Sequence, residues 1–428
     1  MPQYSFPEKD AFKARDVLEA TFDILPYFKE LYVQLDKVRG DEQLEELCFQ
    51  LGIQDNKLVA VGGEPQKILF SGHRGCGKSI ELSRYHHYLD NSERYISIHI
   101  DLQQEVEAFK FEPEDLYVLM IAKLIEKLNE RGIDFDKRAF DKIAEDWLSE
   151  EDVKLELKDT SGFEVTGEGS IGFNFWNFVT LKQGLKDLIS GSRTTINTIR
   201  TRVKLNSIEL IDTFNVELNK VRKELANQGQ AQDILFVIDG SERIRREVYE
   251  QMFVHDISLI QSTQVSLICA VPINTFYEIV NSAGRDYFKR MTLPMIKITP
   301  ESKVLLEQIV TNRIDKSIFF DQSALDCMIE NSGGCPRQLL LLAQRALVKT
   351  RGKKIALSVA ELVVHEFGRT LFEELSEKHL NLIRQGDDKG EYLTGEFEVQ
   401  QMLFSLALLK YNGKIYINPV LKPFVQHE

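Results

Sequence analysis

The 428-residue sequence predicts an α/β protein: a doubly wound parallel sheet with helices on both faces. Three stretches carry that prediction. "KILFSGHRGCGKSIEL" reads as strand, glycine-rich turn and helix. "DILFVIDGSERIRRE" is continuously apolar from Ile234 to Ile238 and then ends on an acid, Asp239. "VSLICAVP" repeats the apolar run. Runs without polar alternation are strands covered on both faces, and strands alternating with helices pair in parallel.

In chain order, the first motif is the richest. Gly72, Gly77, Lys78 and Ser79 satisfy G-x-x-x-x-G-K-[ST], the phosphate-binding loop. Glycines let the backbone curl until successive N–H groups face one anion, and the helix opening near Lys78 adds its positive end. A plain glycine-rich turn is the alternative, but chance supplies this pattern only on the order of once in a hundred chains of this length. The motif predicts an ATP site formed by Gly72, His73, Arg74, Gly75, Cys76, Gly77, Lys78 and Ser79. Lys78 would reach the β/γ-phosphates, and the Ser79 hydroxyl would ligate Mg²⁺. The following "KSIELSRYHHYL" has near-helical apolar spacing, with the adjacent His86 and His87 expected at its surface.

"RYISIHIDLQ" reads as a second strand. "EPEDLYVLMIAKLIEKLNERG" reads as a helix, with Pro113 near its first turn and Gly132 as its stop. Between 133 and 228 lies an insertion. Apolar residues there fall on odd positions from Val153 to Phe175, the period of hairpin strands. A long helix follows over 192–225, whose stripe Ile211, Phe214, Leu218, Val221 and Leu225 suits packing within the chain or against a partner helix.

In the second motif, Asp239 ends its strand at the edge where α/β folds bind ligands. It would hold Mg²⁺, and Glu242 stands close enough in sequence to polarise an attacking water. "MTLPMIKITP" would close the sheet. Beyond it, Pro336 follows two glycines and a cysteine, and Leu339, Leu340, Ala343 and Leu347 form a helical stripe. Arg337 therefore lies in a helix's first turn, where a cation opposes the dipole unless an anion faces it. A γ-phosphate or a surface carboxylate would serve.

Composition excludes other classes. Hydrophobic content of 43% and charged content of 28% are those of a soluble protein. No apolar run reaches membrane-spanning length, and the start lacks an apolar core of signal-peptide length. The five scattered cysteines show no metal-ligand spacing, so reduced cytoplasmic thiols are expected. A net charge of -13 argues against non-specific DNA coating. Basic clusters do occur, at Arg200, Arg202 and Lys204 and again at Arg345, Lys349, Arg351, Lys353 and Lys354.

These motifs together resemble the AAA+ and STAND ATPases, in the style of origin-recognition, KAP and NACHT-type proteins. Five places carry the resemblance. "LYVQLDKVRGDEQLEEL" is similar to the segment that packs on adenine, where Arg39 would lie over the base or at the surface. "GHRGCGKS" is the phosphate loop and "LFVIDGSERI" the D-x-x-[DE]-R acidic motif. "LICAVPIN" resembles a sensor-1 strand, with Asn274 late for its polar residue. "NSGGCPRQLLLLAQRAL" resembles the sensor-2 segment of a helical lid, with Arg337 in the arginine position. At the C-terminus "LALLKYNGKIYINPVLKPFV" resembles a winged-helix hairpin. Position 240 departs from the family: it is Gly where many relatives carry the catalytic glutamate.

The resemblance implies an N-terminal helical segment (1–62), a P-loop ATPase core (63–300), a helical lid (301–356) and a winged-helix-like module (357–428). It implies a homo-oligomer whose neighbour contributes an arginine finger. Arg285 is the candidate, and Arg290 would anchor a helix end. It also implies an effector protein controlled in trans, as in anti-phage defence. The alternatives are a DNA-binding initiator or loader contacting nucleic acid through the C-terminal module, and a scaffold that holds ATP without turnover.

Overall fold

The computed structural model describes residues 4–20, 28–40, 43–59, 64–105, 110–133, 200–201, 204–205, 207–229, 233–241, 244–255, 257–280, 283–386 and 392–425. The hairpin expected at 153–175 and the first part of the long helix lie outside them.

Five strands form one parallel sheet: β1 (Lys67–Gly72), β2 (Tyr95–Asp101), β3 (Asp233–Asp239), β4 (Ser266–Val271) and β5 (Lys289–Leu293), in the order β2-β3-β4-β1-β5. Alternate side chains serve two cores, which explains the unbroken apolar runs. On one face Ile68, Phe70, Leu235, Val237, Ile268 and Ala270 pack with Leu82, Tyr85 and Leu89 of helix α1 (Lys78–Leu89). On the other, Leu69, Ile234, Phe236, Ile238, Leu267 and Cys269 meet α2 (Pro113–Glu130) and α3 (Ser207–Asn227). The chain thus has the doubly wound α/β fold of a P-loop ATPase core. The stripe of α3 from Ile211 to Leu225 is buried in this second core, so it serves packing within the chain.

The closing strand begins earlier than "MTLP" suggests, at Lys289, and stops at Leu293 because Pro294 has no N–H for the ladder. Arg290 consequently lies exposed on an edge strand and anchors no helix end.

Beyond α4 (Ile273–Val280), helices α5 (Pro300–Thr311), α6 (Gln322–Asn331), α7 (Pro336–Lys349) and α8 (Leu357–Glu373) follow. A separate core joins α5 to α8, and Ala14, Val17, Leu18, Val33 and Leu35 of the N-terminal segment are built into it. The C-terminal part carries α9 (Phe397–Ser405) and the antiparallel hairpin β6 (Leu408–Tyr411) with β7 (Lys414–Ile417). The turn, Asn412-Gly413, places both residues at positive φ, as a two-residue hairpin demands.

Candidate functional site

The phosphate loop joins β1 to α1. Gly75 and Gly77 sit at φ +80 and +102, conformations open to glycine. A Cβ on Gly75 would stand 2.4 Å from the Cβ of Arg337, and one on Gly72 2.8 Å from the Leu293 carbonyl. The loop thus needs glycine for its curl and for the closeness of its neighbours. Cys76 is fully buried beneath it, among Phe70, Leu82 and Cys335.

Lys78 opens α1 and is buried, its ammonium donating to the carbonyls of Gly72 (2.9 Å) and His73 (3.2 Å). Gly72, Arg74, Lys78, Pro272, Ile273 and Arg337 line a cavity of about 100 Å³, which Phe404 of α9 also borders. Arg337 arrives from the helical unit. It lies in the first turn of α7, its backbone N–H donating to Gly75 O at 3.2 Å and its side chain against that glycine. Among the described residues no carboxylate pairs with it, so the surface-carboxylate alternative has no support there. Ser79, in the first turn of α1, is exposed.

A second cavity, of about 460 Å³, opens beside Gly72 and His73, bounded by Arg39 and Gln43, by Leu293 and by Lys410 of the hairpin. The two share Gly72 and Ile273. Arg39 is neither at the surface nor solvated: it is 4% exposed. Its guanidinium donates to the Cys76 carbonyl and pairs with Glu81 at 3.3 Å, bracing the loop from below. Arg84 grips Asp36 through two bonds of 2.7 and 2.8 Å and so ties the same N-terminal segment to α1. Burial holds the Glu81 carboxyl above its ordinary range even beside Arg84 and Arg39.

Asp239 ends β3, buried, with β4 between it and the loop strand. In register beside it stands Asp101, the last residue of β2, an acid that sequence reading passed over. The signal was present: "ISIHID" also ends a buried strand on a carboxylate. Gly240 has φ +77, and a Cβ there would lie 2.6 Å from Asp101 Oδ1. The missing glutamate therefore has a steric cause. Among the described residues no group of three or more His, Cys, Asp or Glu forms a metal cluster. One or two carboxylates plus a hydroxyl fit Mg²⁺, a hard ion held mostly by phosphate and water. Glu242 lies outside the described residues.

Histidines behave differently from expectation. His87 is exposed, but His86 is half-buried against β2, with Nδ1 2.8 Å from Ser97 Oγ and its ring stacked on His99. Burial, then the neighbouring His99, pushes its pKa down to about 3. Asn274 sits in the first turn of α4 with its buried amide oxygen lacking a hydrogen-bond partner. Arg285 lies on a turn, Ala283–Asp286, 60% exposed and, among the described residues, paired with the adjacent Asp286 at 3.2 Å.

No protein-family model matches the chain, and no curated protein sequence matches it. Solved structures do. The Holliday junction branch migration motor RuvB of Thermotoga maritima aligns with a TM-score of 0.37 and 12% identity, over 93% of this chain and 99% of that one. The Aeropyrum pernix Orc1 protein in complex with DNA gives 0.40 and 13%, over 96% of each chain. Cdc6p of Pyrobaculum aerophilum gives 0.39 and 10%, over 96% of this chain and 97% of that one. The chemistry of the site rests on its own geometry.

Four of the eight residues in the basic clusters have intramolecular partners. Arg200 pairs with Asp115 at 2.7 Å, Lys349 with Glu366 at 2.7 Å and Lys354 with Asp321 at 3.1 Å, while Arg345 lies over the Phe367 ring. Arg202 lies outside the described residues. Among those residues, no helix is long and apolar enough to cross a membrane.

Proposed function

We propose that this chain is a Mg²⁺-dependent AAA+/STAND-type ATPase that assembles with copies of itself and switches a partner protein. One observation carries the reading: Lys78 from the sheet unit and Arg337 from the helical unit line the same small cavity over the phosphate loop. Two cations converging from separately packed cores suit a phosphate chain whose charge varies between tri- and diphosphate. The phosphates would lie toward Lys78 and the rest of the nucleotide toward the larger cavity at Gln43 and Leu293.

Ser79 and Asp239 would hold Mg²⁺, which when bound supplies charge neutralisation at the β/γ-phosphates. Glu242 would accept the proton of the attacking water. Arg285, exposed and, among the described residues, held by its sequence neighbour Asp286, would complete the site of an adjacent copy. The division into core, lid and C-terminal module belongs to this reading, as does an effector acted on in trans. Pairing of Arg200, Lys349 and Lys354 with carboxylates lessens the support for DNA contact through those three residues.

Phosphate release by the purified full chain tests the proposal. Turnover should depend on Mg²⁺ and fall strongly in Glu242→Gln with ATP still bound. Arg285→Ala should bind ATP but turn over slowly, and mixing it with Lys78→Ala should restore some activity at mixed interfaces. ATP binding without phosphate release would leave a scaffold. Turnover independent of protein concentration, with no rescue on mixing, would leave a monomeric switch.

A further inference from the structure

His73 is the second residue of the phosphate loop, yet its side chain serves another part of the molecule. The imidazole is 1% exposed. Its Nδ1 lies 3.0 Å from the carbonyl of Leu403, and its Nε2 accepts the backbone N–H of Lys410 at 2.8 Å. These contacts define the tautomer: the proton is on Nδ1, which donates to Leu403, while Nε2 is the acceptor.

Both partners are main-chain groups in need. Leu403 belongs to the last turn of α9, whose carbonyls have no intrahelical donor. Lys410 lies on β6, one strand of a two-stranded hairpin whose outer edge would otherwise expose N–H and C=O groups. That edge is covered from the ATPase core: His73 takes the Lys410 N–H, and Met295 N–H donates to the Lys410 carbonyl at 3.3 Å. The hairpin is held further at Gly333, where Tyr411 OH donates to the carbonyl at 2.7 Å, and by the Gln338–Asn418 amide pair, which ties the following segment to α7.

His73 also faces the loop's lysine. Its carbonyl accepts from Lys78 Nζ, so one residue restrains Lys78 through its main chain and the hairpin through its ring. A phosphate that draws Lys78 away from that carbonyl alters the restraint on the residue holding the hairpin. We propose that His73 is a positioning residue that pins the phosphate loop to the C-terminal hairpin, so that nucleotide binding and hairpin docking are one coupled event. The pinned loop is the preorganised loop, so the two reinforce each other, by the same factor in both directions. The inference rests on residues 72–79 being the ATP phosphate site.

The test uses the full chain and reads the proton that His73 accepts. Amide hydrogen exchange over 406–412, which contains the Lys410 N–H, should slow when Mg-ATP binds the wild-type protein. His73→Phe keeps the ring and removes both nitrogens. It should exchange faster there with or without nucleotide and bind ATP about tenfold more weakly. Lys410→Pro deletes the donor from the other side, on a strand edge where proline is tolerated, and should weaken ATP binding with His73 intact. Should His73→Phe fail to fold, Lys410→Pro decides by the same affinity measurement. Absence of Mg-ATP binding to the wild-type chain overturns the reading of the site and the coupling with it. ATP binding at wild-type affinity in both variants, with unchanged exchange at 406–412 in His73→Phe, overturns the pin alone.

Discussion

Two buried lysines flank the β1–loop unit, Lys67 as the first residue of β1 and Lys78 at the start of α1 past the loop, and the two are held in different ways. Lys67, at the end away from the loop, donates to Thr263 O (2.8 Å), Thr263 Oγ1 (2.9 Å) and Val265 O (2.6 Å). Three oxygens match the three protons of an ammonium, and all come from one neighbouring turn. Lys78, beyond the loop, bonds to the carbonyls of Gly72 and His73 in the loop itself and lines a cavity shared with Arg337. Burial pushes the Lys67 amine down to about 7, with Arg222 adding to the shift. A structural lysine is saturated by protein groups that have nowhere else to go. Lys78, in the proposed ATP site, would be parked on carbonyls it can leave for a phosphate.

Substitution at the two ends should separate these roles most strongly. Lys78→Ala removes the principal cation for the β/γ-phosphates, and a micromolar site is worth only about -8 kcal/mol in total. Calorimetry should show ATP affinity falling by about a thousandfold or more, with little change in the nucleotide-free melting curve. Lys67→Met should do the reverse: affinity unchanged, and about 1–3 kcal/mol of stability lost because Thr263 and Val265 lose their donor. Equal effects on affinity would erase the distinction.

Acid should act through His73 beside the phosphate loop and not through Lys67. Burial, against the favourable Leu403 carbonyl, pushes His73 down to about 4 from 6.5. The unfolded chain therefore binds more protons between those values, so stability is complete above pH 6.5 and declines as pH falls toward 4. The shift corresponds to about 3 kcal/mol for this group, and His86 extends the decline to about pH 3. Lys67 acts in a separate window: stability rises with pH from about 7 upward, since its folded value lies below 10.5. Denaturant midpoints across pH should show the lower step shrink in His73→Phe and the upper one vanish in Lys67→Met.

A smaller effect concerns the acidic motif. Gly240→Ala should cost about 2 kcal/mol, from strain at φ +77 and from the contact with Asp101. Gly240→Glu, which installs the acid that many AAA+ ATPases carry, should raise no phosphate release. A faster Gly240→Glu enzyme would show that the carboxylate finds room and that Asp101 yields.

Much of this was legible along the chain. Apolar runs bounded by turn residues located β1 to β4, and the glycine spacing located the loop, because these patterns are set by backbone geometry within a few residues. The C-terminal hairpin was expected from its resemblance to a winged-helix hairpin. Arg337 was legible as a misplaced charge at a helix start. Other outcomes were not written locally. Arg39 was expected over the base or at the surface; its burial depends on Glu81 and the Cys76 carbonyl, which no nearby pattern indicates. His86 looked solvated because the polar face of β2 that receives it is not visible from α1.

The sequence by itself determined where many of the elements run, that one loop has the phosphate-binding pattern and that an acid closes a buried strand. Spacing and side-chain identity carry that information over short distances. Only the tertiary structure decided what surrounds the loop: Arg337 against Gly75, Asp101 against Gly240, and His73 joined to Leu403 and Lys410 across 330 and 337 positions of chain. The partners in that last contact are a main-chain carbonyl and a main-chain N–H. Every residue type offers the first and all but proline the second, so no side-chain pattern can announce them, and only folding brings them to the imidazole.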